Sequence, residues 1–454
     1  MRNFIKYGMF SALMIFASCE EFLEVDPPKD QIADTRVFED DKMATAALNN
    51  LYVALHNKGF FNGTTFGAGF ILGCYTDELE VTTSRNEDFR YFYEGTVLSS
   101  NEAVKAIWND TYSQIFMCNN LIEGMKASSG ITNQVKERVI GECMALRGIL
   151  HFYLAQNYGS IPYVTGTDYK VNQRIMKIAV NQVLINAVAD LKEAEGLLTG
   201  VNASGERINI NQTVVQAFLA RMYLYTATWD QAKSYSEMVI GNADYQLEEI
   251  ENVFLKESKS AIWQLKPLAQ DANTTEAYSY IFTAAPAPNA QLSQSLINSF
   301  EVNDRRKQHW IKVVDSSSAV AHADKYKIMG FSTPSKEYSV IIRLEEMYLI
   351  AAEAAAELAD FETAAYYLNK IRNRSGLESV SINSTAEAVN LIIKERRVEF
   401  FCEFGHRFYD LKRRNRLSDL VPVKNNWKEY FQLWPIPEAE LILNPNLNPQ
   451  NNGY

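Results

Sequence analysis

Two stretches of the chain repeat one arrangement, and that arrangement fixes how their helices must meet. Asn211 stands where it can cap a helix running through Tyr225, and after a short break Trp229-Asp230-Gln231-Ala232 opens another. Further on, Ile342 to Leu358 reads as a helix, and Asp360-Phe361-Glu362-Thr363-Ala364 starts the next. In each pair an alanine of the first helix, Ala220 or Ala352, lies 12 residues before one of the second, Ala232 or Ala364. Small side chains at that offset let two antiparallel helices approach closely, which is the packing logic of tetratricopeptide-like repeats. A chain built this way is mainly all-α.

Helical periodicity extends well beyond the two pairs. After Asp40 and Asp41 as caps, Ala44, Leu48, Leu51 and Leu55 fall on one stripe, as do Trp108, Tyr112, Ile115, Asn119 and Ile122. A third helix is predicted over about 133–158, ending at Gly159, and a fourth over about 180–198. Ser384-Thr385-Ala386-Glu387 fits a capping box. The helix it opens carries Lys394-Glu395-Arg396-Arg397 and Glu399, whose alternating charges suit pairing along a solvated face.

The first nineteen residues set the compartment. Arg2 and Lys6 precede an uncharged apolar run from Tyr7 to Ala17, which meets Ala17-Ser18-Cys19. The run is too short to span a bilayer, which takes roughly 20 apolar residues, and has the length of a secretory core. Its layout resembles a bacterial lipoprotein signal, in which the cysteine is lipidated and the chain cut before it. Residues 1–18 are then the signal peptide, 19–36 a lipidated tether and 37–454 a single domain, with an N-terminal part over about 37–240 and a C-terminal part over about 260–454. From Glu20 to Thr35, with Asp26-Pro27-Pro28 favouring extended backbone, the leader reaches up to roughly 50 Å.

Without Arg2 and Lys6 the formal net charge moves from −11 to −13. That balance disfavours nucleic acid and other polyanions as main partners. Cys74, Cys118, Cys143 and Cys402 are far apart, with no CxxC pair, and read as buried small hydrophobes; Cys118 and Cys402 fall in apolar stretches read as helical. The histidines, His56, His151, His309, His322 and His406, have no metal-ligand spacing, so neither a metal nor a cofactor is expected.

Two stretches lack sustained periodicity, about 59–95 and about 263–338, and both are rich in aromatic residues. Long irregular segments inside a compact domain tend to carry function. Aromatic faces against the C–H face of a sugar, with guanidinium and amide groups for its hydroxyls, make a glycan site. Arg85, Arg90, Tyr91 and Tyr93 supply that mixture in the first segment, and Tyr278, Tyr280 and Trp310 in the second. They are the candidate ligand-binding residues.

Motifs in order along almost the whole chain resemble the SusD/RagB-type outer-membrane lipoproteins of the Bacteroidetes. They include Cys19-Glu20-Glu21-Phe22-Leu23, Leu48-Asn49-Asn50-Leu51-Tyr52, Tyr75-Thr76-Asp77-Glu78, Gly141-Glu142 and Tyr158-Gly159-Ser160-Ile161-Pro162. The second half adds Arg343-Leu344-Glu345-Glu346-Met347-Tyr348-Leu349, Glu395-Arg396-Arg397-Val398-Glu399-Phe400, Gly405-His406-Arg407-Phe408-Tyr409-Asp410 and Pro435-Ile436-Pro437 through Asn444-Pro445-Asn446-Leu447 to Tyr454. The resemblance implies a helical repeat scaffold with irregular ligand-facing insertions. It further implies a non-catalytic lipoprotein, lipidated at Cys19 and exposed on the outer membrane, which captures a glycan for a SusC-like TonB-dependent transporter. Some relatives handle peptides instead, which makes a peptide ligand the alternative. A glycoside hydrolase would need two carboxylates across a sugar site, whereas the carboxylates that stand out here, Glu395 and Glu399, sit among basic neighbours. The Gly405-His406-Arg407…Asp410 segment reads as ion pairing and hydrogen bonding rather than a catalytic pair.

Overall fold

The computed structural model describes residues 35–454 apart from Ser84, Asn86, Asn202, Ser204 and Ser318; the signal, Cys19 and nearly all of the leader lie outside the described residues. The chain divides into Met1–Val37 and Phe38–Tyr454, and all that follows concerns the second unit.

Its first half runs α1 (Asp41–Asn57), α2 (Ala68–Tyr75), β1 (Leu79–Val81), α3 (Asp88–Glu94), α4 (Glu102–Ala127), α5 (Asn133–Tyr158), α6 (Val180–Leu197), α7 (Gln212–Tyr225) and α8 (Trp229–Ile240). The second half runs β2 (Ala261–Leu265), α9 (Glu276–Tyr280), β3 (Ala290–Leu292), α10 (Arg305–Trp310), β4 (Ile311–Asp315), β5 (Val320–Ala323), β6 (Ser339–Arg343), α11 (Leu344–Glu357), α12 (Phe361–Arg374), α13 (Thr385–Phe400), α14 (His406–Arg413) and α15 (Glu438–Leu443). Among the described residues the strands form three antiparallel pairs, β1 with β3, β2 with β6 and β4 with β5.

The long helices form one continuous row. Each packs on the next, from α4 through α5, α6, α7 and α8 to α11 and α12, and α13 closes against the last two. At its centre α5 is buried on every side from Gly141 to Tyr158, as a helix must be when neighbours cover its whole circumference. Caps match the sequence reading: Asn211 Oδ1 accepts from the N–H of Val214 at 2.9 Å, and the Ser384 hydroxyl from that of Glu387 at 3.3 Å. The Glu387 carboxylate reaches the N–H of Asn383, one residue before the expected partner. Two expectations shift. Ile342 and Arg343 end strand β6 instead of opening α11, because they pair with β2. Cys402 is buried but lies in a turn at φ 58°, not in a helix.

Both alanine pairs, Ala220 with Ala232 and Ala352 with Ala364, are fully buried. The two hairpins also turn alike. Ala227 and Ala359 take left-handed backbone at φ 52° and 60°, and the next N–H, of Thr228 or Asp360, donates back to Tyr223 O or Ala355 O at 2.9 Å. An L-residue in that region costs on the order of 1 kcal/mol. Ala359→Gly is therefore expected to leave stability unchanged or raise it by up to about 1 kcal/mol, since glycine's unfolded-state entropy offsets part of the gain. Chemical denaturation checks this, and a clear loss would show that the turn depends on the alanine methyl.

The charged motifs meet inside the protein. Glu399, wholly buried on α13, accepts from Arg343 Nη1 at 2.5 Å, Arg374 Nη2 at 2.7 Å and Arg306 Nη1 at 2.9 Å. Glu395 faces Arg306 at 2.6 Å and Arg372 at 3.2 Å, and Glu403 faces Arg343 at 2.9 Å and Lys325 at 2.5 Å. Glu395 and Glu399 do not pair along a solvated helix face as expected; α10, β6 and α12 bring the cations to them. Burial alone would raise the Glu399 carboxyl, but Arg374, Arg343 and Arg306 outweigh it and hold it well below the usual carboxylate range. A second lattice sets Glu353 against Arg413 and Arg414, and Arg396 against Asp410 at 2.7 Å. Asp77 takes Arg407 at 2.9 Å and Arg397 at 2.8 Å, joining the first half to the last. His406 stacks on Phe400 with ring centroids 4.6 Å apart, and burial with Arg221 and Arg396 keeps it neutral.

Other buried carboxyls go the opposite way. Burial pushes Glu78, Glu142 and Glu276 up to about 7. Such a group keeps its proton in the fold where the unfolded chain has released it, so its contribution is complete below the ordinary value of 4.5 and is lost as pH rises through 7. The depressed group Glu353, down to about 2 because Arg413 and Arg414 outweigh its burial, contributes fully above 4.5 and loses this as pH falls toward 2. Glu142→Gln should thus match the wild type within about 1 kcal/mol near pH 5 and exceed it by on the order of 3 kcal/mol at pH 8. Denaturant titrations at both pH values read this out, and identical curves at pH 8 would contradict it.

Candidate ligand-binding face

The two irregular segments fold together. Their join is the β1–β3 ladder, with Leu79 opposite Leu292 and Val81 opposite Ala290. The Thr82 N–H and hydroxyl add bonds to Asn289 O at 3.0 Å and Ala287 O at 2.6 Å. Beneath, Phe70 of α2 lies 5.2 Å from Phe89 of α3 and 5.5 Å from Tyr280 of α9, centroid to centroid, so one aromatic side chain braces both segments.

Two residues apart on a helix means about 200° of rotation, so Tyr278 and Tyr280 cannot share a face. Tyr280 points inward, buried, with its hydroxyl 3.3 Å from Cys402 O. Tyr278 points out and is 61% exposed. Beside it runs the turn Met329-Gly330-Phe331. Gly330 adopts φ +89°, and a Cβ there would come within 2.6 Å of the Tyr278 hydroxyl, so glycine is what lets the turn pass so close. Asn273, buried, clamps this turn: its N–H and Nδ2 donate to Gly330 O at 2.8 and 3.1 Å, and its Oδ1 accepts from the N–H groups of Lys336 and Glu337 at 2.8 and 3.0 Å. Phe331, which follows Gly330 in this turn, is 70% exposed. Leu268, Met329 and Phe66 are exposed too, and the loop before Phe66 is tied to α9 by the Ser279 hydroxyl on Gly63 O at 2.7 Å. Fixed loops carrying exposed aromatic side chains form a platform that is ordered before any ligand arrives.

The other candidates divide. On α3, Arg90 Nε donates to Glu94 at 2.6 Å and is half-buried, and Tyr91 is half-buried against the core. One face of the Tyr93 ring is taken by Lys424, whose Nζ sits 3.6 Å from the centroid and donates to Cys74 O and Tyr93 O. Burial brings that amine down to about 8. Arg85 is exposed beyond β1. Trp310 does not reach the face. It is 1% exposed, donates its indole N–H to Ile250 O at 3.0 Å, and lies under Lys325, Arg343 and Arg374 as part of the buried charge lattice. Aromatic content does not tell buried rings from exposed ones. Phe331 was missed because Met329-Gly330-Phe331 lies in a Ser/Thr/Pro-rich stretch with no period; the signal it carried is an apolar pair around a glycine.

Two clefts formed by described residues stand out. One, about 350 Å³, lies between Pro267–Asp271 and Pro334–Tyr338, beside the platform. The other, about 470 Å³, runs between α4 and α15 with mostly apolar walls, including Phe116, Pro162, Ile175 and Leu443. Among the described residues no group of three or more His, Cys, Asp and Glu side chains could hold a metal ion, and no helix is long and apolar enough to cross a membrane. The carboxylates that stood out in the sequence, Glu395 and Glu399, are sealed under guanidinium groups and face no cleft.

The profile of a family described as "Starch-binding associating with outer membrane" matches residues 21–224, and that of the SusD family matches 319–454, together three quarters of the chain. SusD-like protein P2 of Formosa agariphila is 24% identical over 97% of this chain and 98% of its own length. A SusD superfamily protein from Bacteroides vulgatus superposes with a TM-score of 0.80 at 20% identity, covering 92% of this chain and all of the other. A laminarin-binding SusD-like protein superposes at 0.73 with 21% identity, covering 92% of this chain and all of that one. The surface glycan-binding protein A of Bacteroides thetaiotaomicron, in complex with laminarihexaose, superposes at 0.74 with 17% identity, covering 91% and all of its chain. With the fold, the order of its motifs and both profiles in agreement, the chain belongs to the SusD family.

Proposed function

We propose that this protein is a non-catalytic glycan-binding lipoprotein of the outer-membrane surface, which captures an oligosaccharide and hands it to a SusC-like TonB-dependent transporter. The observation that carries the reading is the two exposed aromatic side chains, Tyr278 and Phe331, at a turn whose backbone Asn273 clamps and whose Gly330 passes close to the Tyr278 hydroxyl. Exposed aromatic rings on a rigid frame suit the C–H faces of sugars, and the relatives named for laminarin and starch support the same class of ligand. Arg85 and the α3 side chains Arg90, Tyr91 and Tyr93 remain the candidate contacts from the first irregular segment. The domain division stays as read from the sequence, with lipid on Cys19 holding the body at the membrane and residues 20–36 giving it reach.

Titrating the protein from Glu20 onward against plant, host and microbial glycans, with casein-type peptides alongside, tests the ligand. Saturable binding to at least one glycan is the expected result, and binding to peptides alone would overturn the glycan assignment in favour of a peptide-capturing protein. Cys19→Ala tests the anchor. Each acyl CH₂ buried in the bilayer contributes about 0.8 kcal/mol, so several chains on one cysteine make release negligible. The variant is expected to keep ligand binding in solution and to leave the membrane fraction of cells; retention there would contradict lipidation at Cys19.

A further inference from the structure

The loops that hold the platform continue into the 350 Å³ cleft, and its polar groups are arranged for more than packing. Two joints tie cleft and platform together. Ala272 and Phe331 form an antiparallel bridge, and Asp271 accepts the N–H of Ser332 at 2.9 Å on its carbonyl and the hydroxyl of Thr333 at 3.2 Å on Oδ2. From Phe331 to Pro334 in the cleft wall is three residues, at most about 10 Å.

Within the cleft Glu206 accepts from Lys266 Nζ at 2.9 and 3.2 Å and from the Tyr338 hydroxyl at 3.0 Å. The ammonium groups of Lys266 and Lys256 lie 5.7 and 5.8 Å from the Tyr338 ring centroid. Lys256 differs from its neighbour. Its side chain is only 18% exposed, and its ion-pair partner Glu257 stands 3.7 Å away, beyond hydrogen-bond reach. An ammonium carries three donors, and a ligand oxygen that reaches this one can take a charge-assisted hydrogen bond. A carboxylate with an ammonium close by is also what neighbouring sugar hydroxyls can use together, one donating to Glu206 and the next accepting from Lys256. The surrounding charges come close to cancelling, with Glu206, Glu257 and Asp271 near the two lysines, which suits a neutral saccharide.

We infer that this cleft is a second contact point for the same saccharide chain, so that the protein reads glycans by length. Tyr278 and Phe331 hold one ring by stacking, and Lys256 with Glu206 takes the hydroxyls of a sugar further along. The inference rests on the glycan reading above.

The test is calorimetric titration of the protein from Glu20 onward with laminari- and malto-oligosaccharides, from disaccharide to hexasaccharide. In at least one series affinity is expected to rise 10-fold or more with length, the effect of hydrogen bonds to a charged group. Lys256→Met, which keeps the apolar stem, should bring the hexasaccharide down to the affinity of the short members. Tyr278→Ala should weaken every length alike. Affinity independent of length, or a length effect that survives Lys256→Met, overturns the second contact and leaves the platform standing. No binding by either series in the wild type overturns the inference together with a glucan ligand.

Discussion

Glu399→Gln is expected to lower the stability of the body by about 3–5 kcal/mol, read by chemical denaturation at neutral pH. The carboxylate is wholly buried and stands between Arg306, Arg343 and Arg374. Two charges in a low-dielectric interior cost several kcal/mol each to desolvate, which is why a buried ion pair adds little to stability against an apolar substitute, whereas breaking one leaves an uncompensated charge. Here the amide would leave three guanidinium groups sharing one lost anion, and Arg343 also holds Glu403 and, at 3.1 Å, Glu345, so the disturbance spreads. A control on the solvated side is Lys394→Gln: its pair with Glu301 is half-exposed, and the change should be below about 1 kcal/mol. If Glu399→Gln behaves like Lys394→Gln, the lattice does not carry the load between α10, β6, α12 and α13 that its geometry implies.

The helix row was largely legible because each helix repeats its apolar positions along one stripe, as Ala44, Leu48, Leu51 and Leu55 do, and all four are fully buried. The lattice was not. Alternating charge on α13 reads the same whether the partners lie on that helix or elsewhere, and Asp77 finds Arg407 across 330 residues of sequence. Local spacing carries no information about such a pairing. At the candidate site the outcome was mixed for a related reason: Tyr278 and Tyr280 are alike in sequence and opposite in the fold, and Trp310 is buried beneath cations of the charge lattice. Which ring of an irregular segment faces solvent depends on loop clamps such as Asn273, and an asparagine in a polar run carries no mark of that role.

Tyr278→Ala with Phe331→Ala is expected to reduce glycan affinity by 10-fold to more than 100-fold while leaving the melting temperature within about 1 °C of the wild type. An aromatic contact contributes about 0.5–1.5 kcal/mol beyond its buried area, and burying the ring faces adds about 25 cal/mol per Å². Two rings together therefore supply a few kcal/mol, and each 1.4 kcal/mol is a factor of ten. The fold should not notice, because both side chains are mostly in solvent and the clamp by Asn273 on Gly330 uses neither of them. Replacing Asn273 itself is a different experiment: Asn273→Ala leaves Gly330 O with the backbone N–H of residue 273 alone and the N–H groups of Lys336 and Glu337 without their partner, and should cost both stability and affinity.

The measurement that bears most directly on the account is a parallel titration of the wild-type protein and the Tyr278→Ala/Phe331→Ala variant with the glycan that binds most tightly in the panel. Saturable binding by the wild type, weakened 10-fold or more in the variant while its denaturation curve is unchanged, is the predicted result. A variant that binds that glycan as tightly as the wild type would contradict it and place the ligand on another surface.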